Sequence, residues 1–472
     1  MSEKTTGAMA EFGTPASPNR GGPVAGLVLL YAENYVELPS VWLLDKERLL
    51  IGRDEGADVR LNVSAVSRIH AELGWERDGW VLRDRGSRNG TLVDGRRVDA
   101  VELEPLNEVR VGDAIFKFVD KHAEAYADYR IDGSTLHGAA RRGPSDAALV
   151  GGYQIDRITA DLARIAPTPL SVMLLGESGT GKEVVARELH RLSERRGTFA
   201  AVNCAAIPAT LIESELFGYK RGAFSGAERD KPGLIKSAHE GTLLLDEIGD
   251  MPLEAQAKLL RVLQSKEVFP LGATAPERVD VRVICATHRD LWRLQQGGTF
   301  RQDLFARLNE YQLRLPALRE RKEDVFMLVR AFLARHGRAE LTPSFGFMTA
   351  ALQYDWPFNV RELEACIKRC VALADSTVLG DQLLPAPVIE AMEDYGGASR
   401  PGASPSGSLP PPAPGQDPAS RGHMPTDAEL RSLLEQHGGN VAAVGRQLGK
   451  ARMQVHRWMK RYGIHVDDFR RG

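Results

Sequence analysis

The segment SVMLLGESGTGKE, residues 171–183, joins an apolar run to a glycine-rich turn that ends in a lysine. An apolar run followed by Gly-x-x-x-x-Gly-Lys is typical of a buried strand that turns into a helix. The glycines let backbone N–H groups close around a phosphate chain, and the N-terminus of the helix adds its dipole. Lys182 supplies a positive charge for the outer phosphates. The segment predicts a nucleotide site, because an ordinary glycine-rich turn does not explain the lysine.

Glu183 departs from the general motif, which has Ser or Thr at this position as a magnesium ligand. Metal ligation must therefore rely on another residue. The predicted nucleotide-binding residues of the turn are Gly176, Glu177, Ser178, Gly179, Thr180, Gly181, Lys182 and Glu183.

A second apolar run, Thr242–Asp246, ends in two carboxylates, those of Asp246 and Glu247. Asp246 is predicted to hold Mg²⁺ through its water shell, and Glu247 to orient or deprotonate the attacking water. Two acids after a buried strand are also compatible with a solvated strand end. The presence of a phosphate loop in the same domain favours the catalytic interpretation.

The region 148–390 alternates apolar strand-like runs with helical patterns, such as those of residues 183–196 and 254–265. This alternation predicts a parallel α/β sheet. Residues 148–390 also resemble the AAA+ domain of sigma-54-dependent transcriptional activators, the bacterial enhancer-binding proteins. GESGTGKE is similar to the Walker A loop of that family, and GTLLLDE to its Walker B strand. The resemblance implies ATP and Mg²⁺ as cofactors, and a switch role for Asn203, which in the family pairs with the Walker B glutamate.

The segment GAFSGA, residues 222–227, follows ELFG at 215–218 and resembles the loop with which this family grips sigma-54. Its small residues predict a flexible tip that presents Phe224 to water unless a partner covers it. A Phe224 that folds back into its own core is the alternative. Ser225 replaces the usual Thr. The predicted contact residues are Gly222, Ala223, Phe224, Ser225, Gly226 and Ala227.

Further motifs of the family follow in order. Thr287 and His288 end a predicted strand and resemble sensor I, in which Asn is usual at the position of His288.

Arg301 and Arg307 match the family's trans-acting arginine fingers, which reach the ATP of a neighbouring subunit. An exposed helix face explains two arginines equally well without that context. The resemblance implies an active site between subunits and a homo-oligomer, a hexamer when active.

The segment WPFNVREL at 356–363 resembles the sensor II motif, with Phe358 in place of the usual Gly. Arg361 matches the nucleotide-contacting arginine of that motif. Together, the predicted catalytic residues of the domain are Asn203, Asp246, Glu247, Thr287, His288, Arg301 and Arg307.

Short apolar or alternating runs separated by Gly, Asp and Asn turns at 27–119 predict a β-sandwich. The loops between the runs contain the motifs Gly52-Arg53, Ser67-Arg68-Ile69-His70 and Asn89-Gly90-Thr91. These motifs at these intervals resemble the forkhead-associated (FHA) domain, a phosphothreonine-binding module. Polar loops that merely face water are the alternative. Gly52 and His70 are expected to shape the loops. The resemblance implies charge-assisted and amide contacts to a phosphothreonine peptide from Arg53, Ser67, Arg68 and Asn89.

The C-terminal residues 426–472 look wholly helical and carry nine Lys or Arg against five acids. Helices are predicted at 427–436, after Asn440, and at 451–462, with a turn at Gly449. The segment resembles the Fis-type helix-turn-helix, which implies binding of enhancer DNA. A solvated basic hairpin is the alternative. The predicted DNA contacts are Lys450, Arg452, Gln454, Arg457, Lys460 and Arg461.

The composition of the 472 residues fits this organisation. Hydrophobic residues make up 43% and charged residues 26%, which excludes a wholly disordered or collagen-like chain. The net charge of −2 gives no whole-chain sign of nucleic-acid or membrane binding. Four cysteines without a CxxC pair, and the lack of a signal-peptide pattern, predict a cytoplasmic protein. Cys366 and Cys370 are expected in a core rather than at a metal site.

We therefore expect a multidomain chain: a flexible tail (1–22), an FHA β-sandwich (23–120), a linker (121–147), an α/β AAA+ ATPase with a helical lid (148–390), a second linker (391–425) and an all-α helix-turn-helix (426–472). The expected function is ATP-driven remodelling of sigma-54 RNA polymerase to the open complex. Gating by phosphothreonine in a Ser/Thr kinase pathway is expected, with either another phosphorylated protein or this chain's own phosphorylated tail as the partner. A phosphopeptide-dependent repressor or scaffold, and a remodeller of another protein, are the rival hypotheses.

Overall fold

The computed structural model describes residues 24–134, 149–393, 395–396, 425–437 and 441–448, together with 455, 458–459, 462–464 and 469. The predicted tail at 1–22, residues 135–147 of the first predicted linker and most of the second predicted linker lie outside the described residues. The elements fall into an N-terminal sandwich, a central α/β domain, a helical lid and a C-terminal helical segment.

Two mainly antiparallel sheets form the sandwich. Their strands are β1 (Gly26–Ala32), β2 (Val41–Leu43), β3 (Arg48–Gly52), β4 (Val59–Arg60), β5 (Ala71–Glu76), β6 (Gly79–Asp84), β7 (Thr91–Val93), β8 (Arg96–Val98), β9 (Ala100–Glu102), β10 (Glu108–Val111) and β11 (Ala114–Val119). The strand orders are β2-β1-β11-β10-β7-β8 in one sheet and β4-β3-β5-β6-β9 in the other. Alternating apolar residues of both sheets turn inward and are buried, as the run pattern predicts.

The central domain is built on a parallel sheet of five strands in the order β13-β16-β19-β12-β20. Its elements are α1 (Tyr153–Ile165), β12 (Val172–Leu175), α2 (Lys182–Leu192), β13 (Phe199–Asn203), α3 (Ala209–Phe217), β14 (Gly218–Tyr219), β15 (Lys231–Pro232), α4 (Leu234–Ser237), β16 (Thr242–Asp246), α5 (Leu253–Ser265), β17 (Glu267–Val268), β18 (Glu277–Arg278), β19 (Arg282–Thr287), α6 (Leu291–Gln296), α7 (Gln302–Leu308) and β20 (Tyr311–Arg314). The central strands β12, β16 and β19 are almost entirely buried, which is why they read as continuous apolar runs.

The lid comprises α8 (Val325–Arg335), β21 (Thr342–Pro343), α9 (Phe345–Gln353), α10 (Asn359–Leu373), β22 (Val378–Leu379) and α11 (Ala386–Glu390). Two 3₁₀ turns, Leu318–Glu320 and Lys322–Asp324, connect it to β20. Cys366 and Cys370 lie one turn apart on α10, and both are buried in the apolar core.

The sandwich packs directly on the lid, and their buried apolar residues form one continuous cluster. The ring of Tyr31 on β1 lies 5.3 Å from that of Phe326 on α8 and 6.1 Å from that of Phe345 on α9, centroid to centroid. Residues 121–134, assigned to a linker by sequence, also pack: Ala123 and Tyr126 contact the sandwich cluster that includes Val28. The sandwich is thus part of the same packed body as the lid.

The C-terminal segment contains α12 (Asp427–Gln436) and α13 (Val441–Leu448). Thr426 and Glu429 form a capping box at the start of α12, where the sequence predicts a helix start. The predicted cap Asn440 and turn residue Gly449 lie outside the described residues. Within the part of the chain that the structure describes, no helix is both long and apolar enough to cross a membrane.

Arg282 fastens the start of β19 to the end of α1. Its guanidinium donates to the carbonyl oxygens of Ala166 at 2.6 Å, Ile165 at 3.0 Å and Leu170 at 3.3 Å. Burial, with Arg195 nearby, lowers the pKa of Arg282 to about 10. The side chain thus donates to the Ala166 carbonyl at the helix end and to the Leu170 carbonyl beyond it, while the Ile165 carbonyl also accepts from Thr168.

We expect Arg282→Met to lower the free energy of unfolding by about 2 kcal/mol, because the carbonyls of Ala166 and Leu170 lose the Arg282 donor. Urea denaturation followed by tryptophan fluorescence measures the loss. Arg278→Met, at an exposed position of β18, is the matched control and should change stability by less than about 0.5 kcal/mol. Equal midpoints for the two variants would contradict the role assigned to Arg282.

Candidate functional site

The phosphate loop lies between β12 and α2, where the sequence predicts it. Gly179 and Gly181 have φ values of 77° and 103°, which favour glycine. The Lys182 ammonium donates to the carbonyl oxygens of Gly176 at 2.9 Å and Glu177 at 3.2 Å. Burial lowers the pKa of Lys182, and the nearby Glu247 carboxylate opposes the shift. The loop therefore presents a buried lysine at the start of a helix.

The two predicted carboxylates end β16, beside the phosphate loop. Lys182 Nζ lies 3.9 Å from the nearer Glu247 carboxylate oxygen. Asp246 is half-buried, and burial together with the Glu247 charge raises its pKa. Such a carboxylate, crowded by a second one, suits a divalent cation, which relieves the repulsion between them.

In this structure the His288 ring contacts the Glu247 carboxylate. The His288 Nδ1 atom lies 2.8 Å from Glu247 Oε2, at the end of β19. Asn203, the predicted switch partner of Glu247, uses its amide oxygen within its own loop, where it accepts from the backbone N–H of Ala205 at 2.9 Å. Asn side chains commonly bond to the backbone two residues on, and this local bond competes with the longer-range pair.

Thr287, the other predicted sensor I residue, is buried at the end of β19. Its hydroxyl accepts from the backbone N–H of Arg289 at 3.0 Å, and its carbonyl accepts from the N–H of Gly176 at 3.3 Å. Thr287 thus ties the end of β19 to the start of the phosphate loop.

The lid closes over the phosphate loop through the start of α10. The backbone N–H of Arg361 donates to the Gly179 carbonyl at 3.4 Å, and the Arg361 guanidinium lies 3.5 Å from the Ser178 hydroxyl. Phe358, which replaces a glycine of the motif, is 59% exposed. A side chain at Gly179 would meet the Phe358 carbonyl at 2.0 Å. Backbone of the lid and of the loop are therefore in direct contact.

Sequence reasoning did not assign two residues that organise this contact. The buried Asn359 accepts from the Leu318 N–H at 2.8 Å and donates to the Ser178 carbonyl at 3.0 Å. Arg319 pairs with Glu177 of the phosphate loop. The available signal was weak: Asn359 stands inside the quoted sensor II motif, and Arg319 lies in a charged run that is typical of a solvated surface.

A cavity of about 120 Å³ adjoins the phosphate loop on the lid side. Its walls are mostly aliphatic, with Thr180 and Gly181 at the loop end and three charged side chains, Arg321, Arg335 and Glu364, also lining it. Apolar lining residues are Leu149, Val150, Ile155, Ile158, Val184, Val185, Leu315, Pro316, Leu328, Phe332 and Val360. An apolar cleft next to a phosphate-binding turn suits a planar base joined to a phosphate chain.

The predicted gripping loop is the tip of the hairpin β14–β15. Gly222 and Gly226 have φ values of 80° and 102°, and the Gly222 N–H donates to the Ala227 carbonyl at 2.8 Å. Phe224 is 45% exposed. Its ring also packs edge-on against Tyr219, with 4.9 Å between centroids. The loop therefore shows a partly covered aromatic side chain, between the two alternatives that the sequence leaves open.

The polar loops of the sandwich are connected by hydrogen bonds at one end of the sheets. Ser67 Oγ accepts from the Arg88 N–H at 3.2 Å, and the Asn89 amide donates to the Ala65 carbonyl at 2.7 Å. The side chains of Arg53 and Arg68 are exposed on the same loops. The arrangement places two cations, a hydroxyl and an amide on neighbouring loops.

Gly52 and His70 shape these loops, as the sequence predicts. A Cβ at Gly52 would lie 2.1 Å from the Arg68 carbonyl oxygen. The buried His70 ring accepts from the Ser67 N–H at 3.1 Å and lies 3.2 Å from the Gly90 carbonyl. Burial lowers the pKa of His70, which favours the neutral ring.

Comparisons with known proteins agree with this arrangement. Residues 150–314 match the sigma-54 interaction domain, 49–112 the FHA domain and 319–399 the AAA+ ATPase lid domain. The chain is 36% identical to the transcriptional regulatory protein GlrR of Escherichia coli K12 over 373 residues, 75% of this chain and 78% of GlrR. The chain belongs to the family of sigma-54-dependent transcriptional activators.

Other members of the family are similar over shorter stretches. The DNA-binding transcriptional regulator NtrC of Azospirillum brasilense is 52% identical over 223 residues, which are 46% of each protein. A crystal structure of NtrX from Brucella abortus in complex with ATP is 31% identical and covers 67% of this chain and 70% of its own, with a TM-score of 0.48. The chain spans between 42% and 65% of the length of five curated relatives that it matches.

The two arginines that resemble the trans-acting fingers of the activator family lie at either end of α7. Arg301 precedes the helix and pairs with Asp303 at 2.7 Å, and Arg307 in its last turn lies 3.9 Å from Glu310. Both side chains are exposed. All of the predicted DNA contacts, at positions 450, 452, 454, 457, 460 and 461, lie outside the described residues.

We expect Gly179→Ala to weaken binding of a fluorescent ATP analogue by at least about tenfold, because the new methyl group would separate the phosphate loop from the lid. Gly337→Ala is the matched control, since Gly337 also has a positive φ of 73° but open space around it. It should leave the affinity within about twofold of the starting chain. Similar losses in both variants would contradict the role of the loop–lid contact.

Proposed function

We propose that this chain hydrolyses ATP as a ring of subunits and uses the energy to remodel sigma-54 RNA polymerase to the open complex. Enhancer DNA binds to its C-terminal segment, and phosphothreonine recognition by the FHA domain gates the activity. The observation that carries the proposal is the meeting of Lys182 with Glu247 and the adjacent Asp246, in the same sigma-54 interaction domain that contains the Phe224 loop.

ATP hydrolysis needs groups that bind phosphate and orient water, and the chain supplies both. Lys182 and the loop N–H groups hold the phosphates, while the apolar cavity takes the base. Glu247 orients the attacking water, and His288 contacts its carboxylate. Asp246 would hold Mg²⁺ through water, and the ion would neutralise phosphate charge.

We assign stabilisation of the remaining negative charge in the transition state to Arg301 and Arg307 of the neighbouring subunit. Their exposure on α7 supports a role across an interface, since an arginine that acts in trans must be accessible before assembly. The resemblance to the activator family favours a hexamer as the active ring.

The loop at 222–227 is proposed to contact sigma-54. A partly exposed Phe224 on a tip with two positive-φ glycines supports this role, because a partner gains by covering the ring. The contact of Phe224 with Tyr219 protects the ring until a partner binds.

The loops that carry Arg53, Ser67, Arg68 and Asn89 are proposed to bind a phosphothreonine-containing protein. Two exposed cations beside a hydroxyl and an amide support this ligand, since phosphate accepts charge-assisted hydrogen bonds. A Ser/Thr kinase pathway supplies such a partner. The basic residues at 450–461 are proposed to contact enhancer DNA, some at bases and others at phosphates.

Open-complex formation tests the whole proposal. Purified chain, ATP and sigma-54 RNA polymerase are mixed on a cognate promoter, and opening is read by permanganate footprinting. Lys182→Ala should abolish hydrolysis and opening. Phe224→Ala should keep hydrolysis within about threefold yet abolish opening, because it removes the contact with sigma-54 alone. Leu211→Ala, at another exposed apolar position of the same domain, should open the promoter normally.

The other outcomes favour the rival functions. Hydrolysis without opening, even with a phosphothreonine ligand, would indicate a remodeller of a different protein. A chain that binds DNA and phosphopeptide without hydrolysing ATP would be a repressor or scaffold.

The FHA assignment is tested by binding to a library of phosphothreonine peptides, read by fluorescence anisotropy. Arg53→Ala should weaken binding at least about tenfold, because a charge-assisted bond to phosphate is lost. Arg77→Ala is the matched control, since Arg77 is exposed in the β5–β6 turn at the far end of β5. Equal binding of peptides with and without phosphate would contradict the assignment.

A further inference from the structure

The segment 318–324 contacts both the phosphate loop and the sandwich. At one end the Arg319 guanidinium makes a two-pronged pair with the Glu177 carboxylate, with 2.7 Å between Nη1 and Oε2. The neighbouring Leu318 N–H donates to Asn359, which itself bonds the carbonyl of Ser178. This end of the segment therefore helps to define the position of the phosphate loop.

At its other end the segment makes two buried ion pairs with the sandwich. Lys322 Nζ lies 2.8 Å from Glu108 Oε2, and the Glu323 carboxylate pairs with Lys117. Glu108 and Lys117 face each other across strands β10 and β11. None of the four side chains is more than 8% exposed. We call these four residues the charge quartet.

Two successive 3₁₀ turns join the ends of the segment. The N–H groups of Glu320, Arg321 and Asp324 donate to carbonyls three residues earlier, at 2.9, 3.0 and 2.9 Å. Arg321 alone lies between the two turns, so a short, hydrogen-bonded stretch of backbone joins Lys322 to Arg319.

We propose that Arg319 is a positioning residue for the phosphate loop and that the sandwich controls it through the charge quartet. The inference rests on the proposed ATPase function and adds the regulation of that site. A bidentate arginine pair fixes both distance and orientation of Glu177. Buried ion pairs transmit position well, because moving one charge away from its partner leaves both uncompensated. An event that shifts the sandwich would thus reach the phosphate loop through the four residues from Arg319 to Lys322.

A double-mutant cycle tests the first half of the proposal. Arg319→Gln, Glu177→Gln and the double variant are prepared in the full chain, and the dissociation constant of a fluorescent ATP analogue is measured with KM and kcat for ATP. Each single change should weaken analogue binding and raise KM about tenfold, with kcat within about threefold. The double variant should be no worse than either single one. An affinity equal to that of the unaltered chain, or additive losses of about a hundredfold, would overturn the role of Arg319.

Removal of both charges of one pair tests the second half. Lys322→Met with Glu108→Met avoids an unpaired buried charge and should weaken analogue binding about three- to tenfold. Adding Arg319→Gln should cause no further loss. Arg338→Met with Glu340→Met removes an exposed ion pair of the lid and should leave the affinity unchanged. Unaltered affinity in the folded Lys322/Glu108 variant would overturn control by the sandwich.

A charge exchange keeps this test decisive if the methionine variant does not fold. Lys322→Glu with Glu108→Lys retains a pair and should restore binding that either single exchange loses, whereas no restoration in a folded chain would count against the proposal. If the unaltered chain binds the analogue but does not hydrolyse ATP, only the proposed ATPase function is contradicted. Full affinity in Arg319→Gln would contradict only the present inference.

Discussion

Four charged side chains buried between the sandwich and the lid impose the constraint on which the arrangement of this molecule depends. A lysine or glutamate removed from water is stable only beside a partner, and here each partner comes from the other domain. Apolar packing of Tyr31 against Phe326 surrounds the charges. The two domains cannot separate without exposing this apolar surface and breaking both pairs. The sandwich, which matches the FHA domain, is therefore packed on the lid that contacts the phosphate loop.

Much of the central domain follows from local sequence. The strands β12, β16 and β19 are continuous apolar runs because helices cover both faces of a parallel sheet. The carboxyl ends of such strands lie at one edge, which is why Lys182 and Glu247, far apart in sequence, meet. The packing of the sandwich on the lid was not predictable in this way. Glu108 and Lys322 are 214 residues apart, and each looks like an ordinary surface charge in its own segment.

The candidate site likewise contains some residues that local sequence predicts and others whose contacts it does not. Lys182 and Asp246 were predicted from their places relative to strand and helix ends, and Arg361 from the resemblance to sensor II; the structure places all three around the phosphate loop. The partner of Glu247 was beyond such reasoning, since Asn203 and His288 are both near enough in topology. Which of them bonds to the carboxylate depends on a local choice: Asn203 bonds the backbone of its own loop. The positions of Arg319 and Asn359 carry no local sequence signal, because their roles arise from contacts between the lid and the phosphate loop.

Sharing a core with the lid also limits how this chain can exchange parts with its relatives. A sensor domain joined by a flexible linker alone can be replaced by another domain, because the ATPase domain has no surface that packs against it. Here the lid face carries Lys322, Glu323 and Phe326 in positions that only a matching sheet will satisfy. A foreign input module would have to present an acid and a lysine on facing strands beside an aromatic ring. The contacting residues of the sandwich and of the lid are thus expected to change together during evolution.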